Sequence, residues 1–160
     1  MSKDTVVRRA LSSDAREVDS LLSEWLNFQP DSGRLVSIQR AISNQELFVA
    51  ENSSRVIGFI HHVMHEDISD GDPNSFITAF YITAPFRRRG IGTLLLKRAI
   101  DDSLERGAVG VETSTIHAEA RRLYERLHFN QTLGDIGEVF LELDVKEYLQ
   151  NRRPKLPNVE

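Results

Sequence analysis

The residues best suited to chemistry crowd into one stretch, Arg87-Arg88-Arg89-Gly90-Ile91-Gly92-Thr93, directly after the apolar run Phe76 to Ile82 and directly before a helix-patterned segment. A strand that enters a glycine-containing turn and then a helix leaves the first N–H groups of that helix unpaired and pointing outward. The helix dipole adds partial positive charge at the same place, so the chemistry favoured there is the binding of an anion, above all a phosphate. Gly90 and Gly92 lack the Cβ atoms that would keep a pyrophosphate off the backbone, and Arg87, Arg88 and Arg89 set three cations beside it in a chain of formal net charge −4. A tight turn chosen for geometry would explain a bare Gly-x-Gly. The strand before, the helix after and the adjoining arginines favour the anion. Two other phosphate motifs are absent: there is no Gly-x-x-x-x-Gly-Lys-Ser/Thr, and the dinucleotide fingerprint would need glycine where Leu95 stands.

Proton transfer could be served by several residues. His62 and His65, Glu66, Glu112 and His117 are all candidates for a general base, and each has a plainer explanation. His61 and His62 point to opposite faces of a strand, so at most one of them can look into a given cleft. His65 and Glu66 could be solvated loop residues. A helix N-terminus would bias His117 toward its neutral form, which suits a base, yet a capping role explains it equally. Deprotonation relayed by water stays open beside all of them. The acids Glu66, Asp67, Asp70 and Asp72 lie beside Gly71 and Pro73, the composition of a solvated loop, and no His-x-x-x-His spacing accompanies them, so no metal is expected. The chain has no cysteine, which excludes disulfides, thiolate nucleophiles and thiolate metal sites.

The arginine–glycine stretch resembles the pyrophosphate-binding motif of the GNAT superfamily of N-acetyltransferases, Gln/Arg-x-x-Gly-x-Gly/Ala, with Arg87, Gly90 and Gly92 in register. A second segment, His117-Ala118-Glu119-Ala120-Arg121-Arg122-Leu123-Tyr124-Glu125-Arg126-Leu127-His128-Phe129, is similar to the family's Asn-x-x-Ala-x-x-Leu-Tyr-Glu-x-x-Gly-Phe. Val7-Arg8-Arg9-Ala10 followed by Asp14 is similar to its usual opening. The resemblance implies a mixed, mostly antiparallel sheet of about seven strands flanked by four helices, an α/β fold that binds acetyl-CoA. It places the pyrophosphate on Arg87, Arg88, Arg89, Gly90, Ile91, Gly92 and Thr93, with Ile82, Thr83, His117 and Ala120 as further contacts. Polarisation of the thioester carbonyl falls to a backbone amide within Tyr81 to Thr83. It makes Tyr124 the general acid that protonates the departing thiolate. A phenol at about 10 faces a thiol near ~8.5, a mismatch of about 1.5 units or roughly 2 kcal/mol. Tyr124 also shares an apolar face with Ala120 and Leu127, so a purely core role is the alternative. Departures are His117 for Asn, His128 for Gly, and Thr78-Ala79-Phe80 in a strand where many members carry an acidic residue. The last leaves the acidic base of those members without a counterpart there.

The implied reaction is transfer of acetyl from acetyl-CoA to a primary amine by direct attack, most naturally a small-molecule amine. A protein or peptide acetyltransferase and a non-catalytic acyl-CoA-binding module are the alternatives. A homodimer is common in the family. The elements that must position these residues follow from pattern. A strand over Thr5 to Ala10 precedes a helix running to about Asn27, with Ser12, Ser13 and Asp14 as its caps. Pro30 and Gly33 break the pattern before a second helix ending near Asn44. Strands follow over Leu47 to Glu51, Val56 to Met64 and Phe76 to Ile82, then a helix from about Gly90 to Gly107. Strand Val109 to Thr113, helix His117 to Leu127, and strands Phe129 to Leu133 and Glu138 to Val145 complete the order.

Length and composition agree with this. A chain of 160 residues, 40% hydrophobic and 28% charged, is expected to be one domain over 1–145 with a tail over 146–160 that holds a short helix and then frays. The acidic balance argues against nucleic acid as a partner, and no apolar run approaches a membrane span, so the protein is expected to be cytoplasmic.

Overall fold

The structure is a computed structural model that describes residues 5–132 and 139–152. Among the described residues seven strands and five α-helices follow one another: β1 (Thr5–Arg9), α1 (Ala15–Leu26), α2 (Ser32–Ser43), β2 (Leu47–Asn52), β3 (Arg55–Glu66), β4 (Pro73–Ile82), α3 (Ile91–Glu105), β5 (Gly110–Thr115), α4 (Ala118–Arg126), β6 (Asn130–Gln131), β7 (Val139–Asp144) and α5 (Val145–Arg152). The strands hydrogen-bond in the order β1-β2-β3-β4-β5-β7-β6. β1 with β2, β2 with β3, β5 with β7 and β6 with β7 are antiparallel. This is the mixed, mostly antiparallel α/β architecture expected, with four helices in the domain followed by α5, at the place where a short tail helix was expected. Among the described residues no helix is long and apolar enough to cross a membrane.

By its contacts the chain divides into two compact units, one of residues 1–63 and 77–102, the other of 64–76 and 103–160. In the first, Ala15, Val18 and Leu21 of α1 and Ile38 and Ala41 of α2 pack with Leu47, Val49, Val56 and Phe59 of the β2–β3 hairpin. Helical spacing on α1 and α2 puts those side chains on inward stripes, and each large one fully buried contributes roughly 1.5–3 kcal/mol. The hairpin turns at Ser53 and Ser54, both left-handed at φ 48° and 63°, the conformation that a two-residue turn between twisted strands demands. Leu95, Leu96, Ala99 and Ile100 give α3 a fully buried face. In the second unit, Val111, Leu141 and Leu143 are buried in β5 and β7, together with Leu127, Phe129, Val145 and Tyr148.

Several local expectations need correction. Asp14 occupies the N-cap position of α1, but its side chain makes no capping bond to that helix. Its carboxylate accepts the Leu11 amide at 2.7 Å and two bonds from Arg8 at 2.7 and 3.0 Å, and residues 12–14 form a 3-10 turn instead. Gly33 does not break α2 but lies in its first turn, where its N–H is taken by the side chain of the N-cap, Asp31, at 3.0 Å. The chain is turned earlier, at Asn27, which closes α1 in the left-handed conformation. β3 and β4 run longer than their apolar centres, because the acidic segment between them closes on itself: the Gly71 amide donates to Asp67 O at 2.7 Å and the Asp67 amide to Asp72 O at 3.2 Å. β5 starts at Gly110 because the Val109 amide is engaged by Pro73 O at 2.8 Å. His117 is the N-cap of α4 rather than its first turn. Leu133, Glu138 and the tail from 153 onward fall outside the described residues, so the outer ends of those expected strands and the fraying tail do too.

Candidate acetyl-CoA site

The end of β4 from Ile77, the loop and α3 as far as Asp102 belong to one unit, and their geometry suits an anion. After Ile82 the chain makes a 3-10 turn, Ala84–Phe86, with Pro85 inside it, which ends the strand because proline cannot continue the ladder. Arg88 and Gly90 then adopt left-handed backbone, φ 63° and 81°. α3 starts at Ile91, whose buried side chain anchors the first turn, and Gly90 O accepts the Leu94 amide at 3.2 Å. The amides of Gly90 to Thr93 therefore precede the first intrahelical bond. A Cβ built on Gly90 would meet nothing within 4 Å, so the space above this backbone is open. That opening, at the positive end of a 15-residue helix, is the shape and field a pyrophosphate requires, and Gly90, Ile91, Gly92 and Thr93 are the residues that would hold it.

The neighbouring side chains are placed with less freedom than their sequence suggests. Arg87 is folded back: its Nε donates to Ile82 O at 2.8 Å and its guanidinium lies 5.2 Å over the Tyr81 ring. Arg89 stacks 5.2 Å from the Phe86 ring. Thr83 has no spare polar group in this state, since its N–H donates to Ile57 O, its O accepts from Phe86 and its hydroxyl donates to Glu24 Oε1 at 2.9 Å. Within the expected carbonyl-polarising stretch Tyr81 to Thr83, the Thr83 amide is thus already spent. β3 also presses closely on this strand, because a Cβ on Gly58 would sit 2.9 Å from Tyr81 O.

The second unit holds Tyr124, which is 3% exposed and tilted against Phe129 at 5.2 Å between ring centres. Burial pushes its phenol up to about 12, partly offset by a hydrogen bond from the Thr113 side chain. The O–H therefore stays protonated through the working range. Ala120 is half-buried in the same helix, and the exposed His117 caps nothing with its ring, while its amide donates to Thr115 Oγ1 at 3.0 Å.

The base candidates separate. His62 is fully buried, its Nε2 3.0 Å from Asp102 Oδ2, and Asp102 also pairs with Arg9. Phe48 stacks on the His62 ring and carries the guanidinium groups of Arg9 and Arg98, each 5.0 Å from its centre. His62 and Asp102 are sealed in the core while Arg9 reaches the surface, so the His62 ring is not presented to solvent. On the opposite face His61 Nδ1 and the Thr78 hydroxyl are hydrogen-bonded at 2.5 Å, and burial lowers the His61 pKa against the opposing pull of Glu46. His65 and Glu112 do come together, 3.7 Å apart and each about two-fifths exposed, at 40% and 39%. Glu66 is exposed with no contact of this kind. Among the described residues no three histidine or acidic side chains converge to hold a metal ion.

Sequence reasoning missed Glu24, at the end of α1, which accepts the Tyr81 hydroxyl at 2.8 Å as well as that of Thr83. Nothing local marks it, since both partners lie more than fifty residues away, at separations of 57 and 59.

A strand, a glycine loop and a helix thus follow one another within a seven-stranded mixed sheet among the described residues. The family model of the GNAT acetyltransferases matches residues 13–129, and the chain belongs to that family. It is an acetyltransferase that uses acetyl-CoA as its acetyl donor. No curated protein matches the chain in sequence. Among solved structures it is similar to an N-acetyltransferase from Staphylococcus aureus Mu50, with 19% identity, TM-score 0.74, and 89% of this chain and 99% of that one covered. It is likewise similar to Arabidopsis thaliana NAA60 in complex with acetyl-CoA, at 17% identity, TM-score 0.74, with 88% and 99% covered. A chain of the NatC complex bound to Gag peptide and CoA aligns at 17% identity and TM-score 0.75 over 89% and 99%. At these identities the likeness is one of fold.

Proposed function

We propose that this protein transfers acetyl from acetyl-CoA to the primary amine of a small molecule by direct attack within a ternary complex. The observation that carries the reading is the open backbone at Gly90 ahead of α3. Bound there, acetyl-CoA supplies an activated thioester carbonyl. The amides of Gly90 to Thr93 and the arginines Arg87 to Arg89 neutralise its phosphates, and Ile82 lies on the strand that leads to them. With no cysteine in the chain, an acetyl-thioester on the enzyme is unavailable, and the amine attacks without one.

Tyr124 hydrogen-bonds the sulfur as it departs, a role carried from the matching Leu123-Tyr124 pair. His65, whose Nε2 lies 3.7 Å from the Glu112 carboxylate, is the base candidate this reading favours. His117 and Ala120 follow from the same motif as further acetyl-CoA contacts. A cytoplasmic protein that pairs into homodimers remains part of this reading.

A second reading, acetylation of a peptide, draws on the likeness to the NatC chain, whose structure holds a peptide and CoA. Purified protein supplied with acetyl-CoA, a panel of small amines and a panel of peptides separates the two, read as release of free thiol. Turnover confined to small amines is expected; turnover confined to peptides would replace the first reading with the second.

A further inference from the structure

We infer that Glu24 selects the acceptor by holding a second cationic group of the amine substrate, one that is not acetylated; the inference rests on the acetyl-transfer reading above. Glu24 is exposed, yet its carboxylate is fixed: Oε1 accepts both the Tyr81 hydroxyl at 2.8 Å and the Thr83 hydroxyl at 2.9 Å. Tyr81 is itself held, stacked on Trp25 at 5.8 Å and 17° and covered by the Arg87 guanidinium at 5.2 Å. Among the described residues no hydrogen bond or ion pair reaches Oε2. An oriented carboxylate oxygen is therefore presented at the end of β4, five residues ahead of the glycine loop's first arginine, Arg87.

The partner of such an oxygen is a cation. It is poorly suited to the attacking nitrogen, because a carboxylate favours the charged form of an adjacent amine and is about 6 pKa units too weak to deprotonate an alkylammonium. A nitrogen held this way would stay protonated and unreactive. A second ammonium or guanidinium on the same molecule gains from the contact without that penalty, and holding it orients the free amine for attack. The acceptor class is thus a polycationic amine with at least two basic nitrogens.

The test compares putrescine and spermidine with n-butylamine, which has one ammonium, in the native protein and in Glu24→Gln. Glutamine keeps an oxygen to accept both hydroxyls and loses only the charge. The native protein is expected to favour the polycations by about tenfold or more in kcat/KM, the difference lying in KM. Glu24→Gln is expected to abolish that preference while leaving the melting temperature, the affinity for acetyl-CoA and turnover of n-butylamine unchanged. The preference in the native protein should also shrink as salt is added, a readout that stands even where the variant folds poorly. The same fall in kcat for all three amines would make Glu24 a proton-transfer group and overturn the proposal. So would equal use of the three, turnover of none of them by a protein that binds acetyl-CoA, or a preference indifferent to salt. Failure to bind acetyl-CoA at all would instead overturn the acetyl-transfer reading.

Discussion

Tyr124 shows how burial reshapes a residue's chemistry. The sequence gives a phenol an expected pKa near 10, but in the folded chain burial pushes it up to about 12. Against a thiol near ~8.5 the mismatch grows to about 3.5 units, roughly 5 kcal/mol, so a hydrogen bond that strengthens as charge builds on sulfur serves better than early proton transfer. Tyr124→Phe is expected to lower kcat about a hundredfold with little change in acetyl-CoA affinity, measured by steady-state kinetics and calorimetry. A variant as fast as the native protein would return Tyr124 to the core. Because the folded phenol keeps its proton up to about 12, Tyr124 should contribute no alkaline loss of rate below pH ~10. Asp14 offers a stability prediction of the opposite sign. Burial alone would raise its pKa, but the Arg8 guanidinium and the Leu11 amide outweigh that and hold it below the usual carboxylate range. A depressed folded pKa contributes stability that is present above the unfolded value, about 3.9, and is lost as pH falls through the folded one. Asp14→Asn should cost about 1–3 kcal/mol at neutral pH in denaturant unfolding and lose part of the native protein's acid sensitivity. The arginine–glycine motif and Tyr124 were legible as residues, whereas Glu24 and the Asp102 partner of His62 were not, because chemistry that arises from contacts across 57 and 40 residues leaves no spacing to read.

At the scale of elements, the strand–loop–helix from β4 to α3 was readable since each part carries its own signal: an apolar run, a proline stop, glycines and then a helical stripe. The errors occurred where a side chain overrode a propensity. Asp31 capping α2 let Gly33 enter the helix, and Arg8 with the Leu11 amide engaged the Asp14 carboxylate that would otherwise cap α1. Length was misjudged for β3 and β4, whose ends are polar and are held by partner strands and a closed turn rather than by burial. The close approach of these two strands supplies a test. In Gly58→Ala the added Cβ would meet Tyr81 O at 2.9 Å and Ile82 Cγ1 at 3.0 Å. Backbone on one side cannot yield cheaply, so the variant should lose about 1–3 kcal/mol in denaturant unfolding. A variant of native stability would show that β3 and β4 relax apart at little cost.

For the molecule as a whole, family membership fixes the donor and the reaction type, while the acceptor is left to particular side chains. In the proposed site that division explains what could be read from sequence: backbone encoded by a short local motif would meet the donor's phosphates, and groups gathered from separate elements would meet the acceptor. The central claim is that acetyl-CoA binds on the amides of Gly90 to Thr93. Calorimetric titration of the native protein and of Gly90→Glu with acetyl-CoA tests it most directly, because glutamate would fill the open space above residue 90 with a side chain and a negative charge. The account predicts saturable binding by the native protein and a loss of at least about a hundredfold in affinity in a variant that remains folded by circular dichroism. Equal binding by both proteins would contradict the placement of the pyrophosphate, and no binding by the native protein would contradict the assignment of acetyl-CoA to this site.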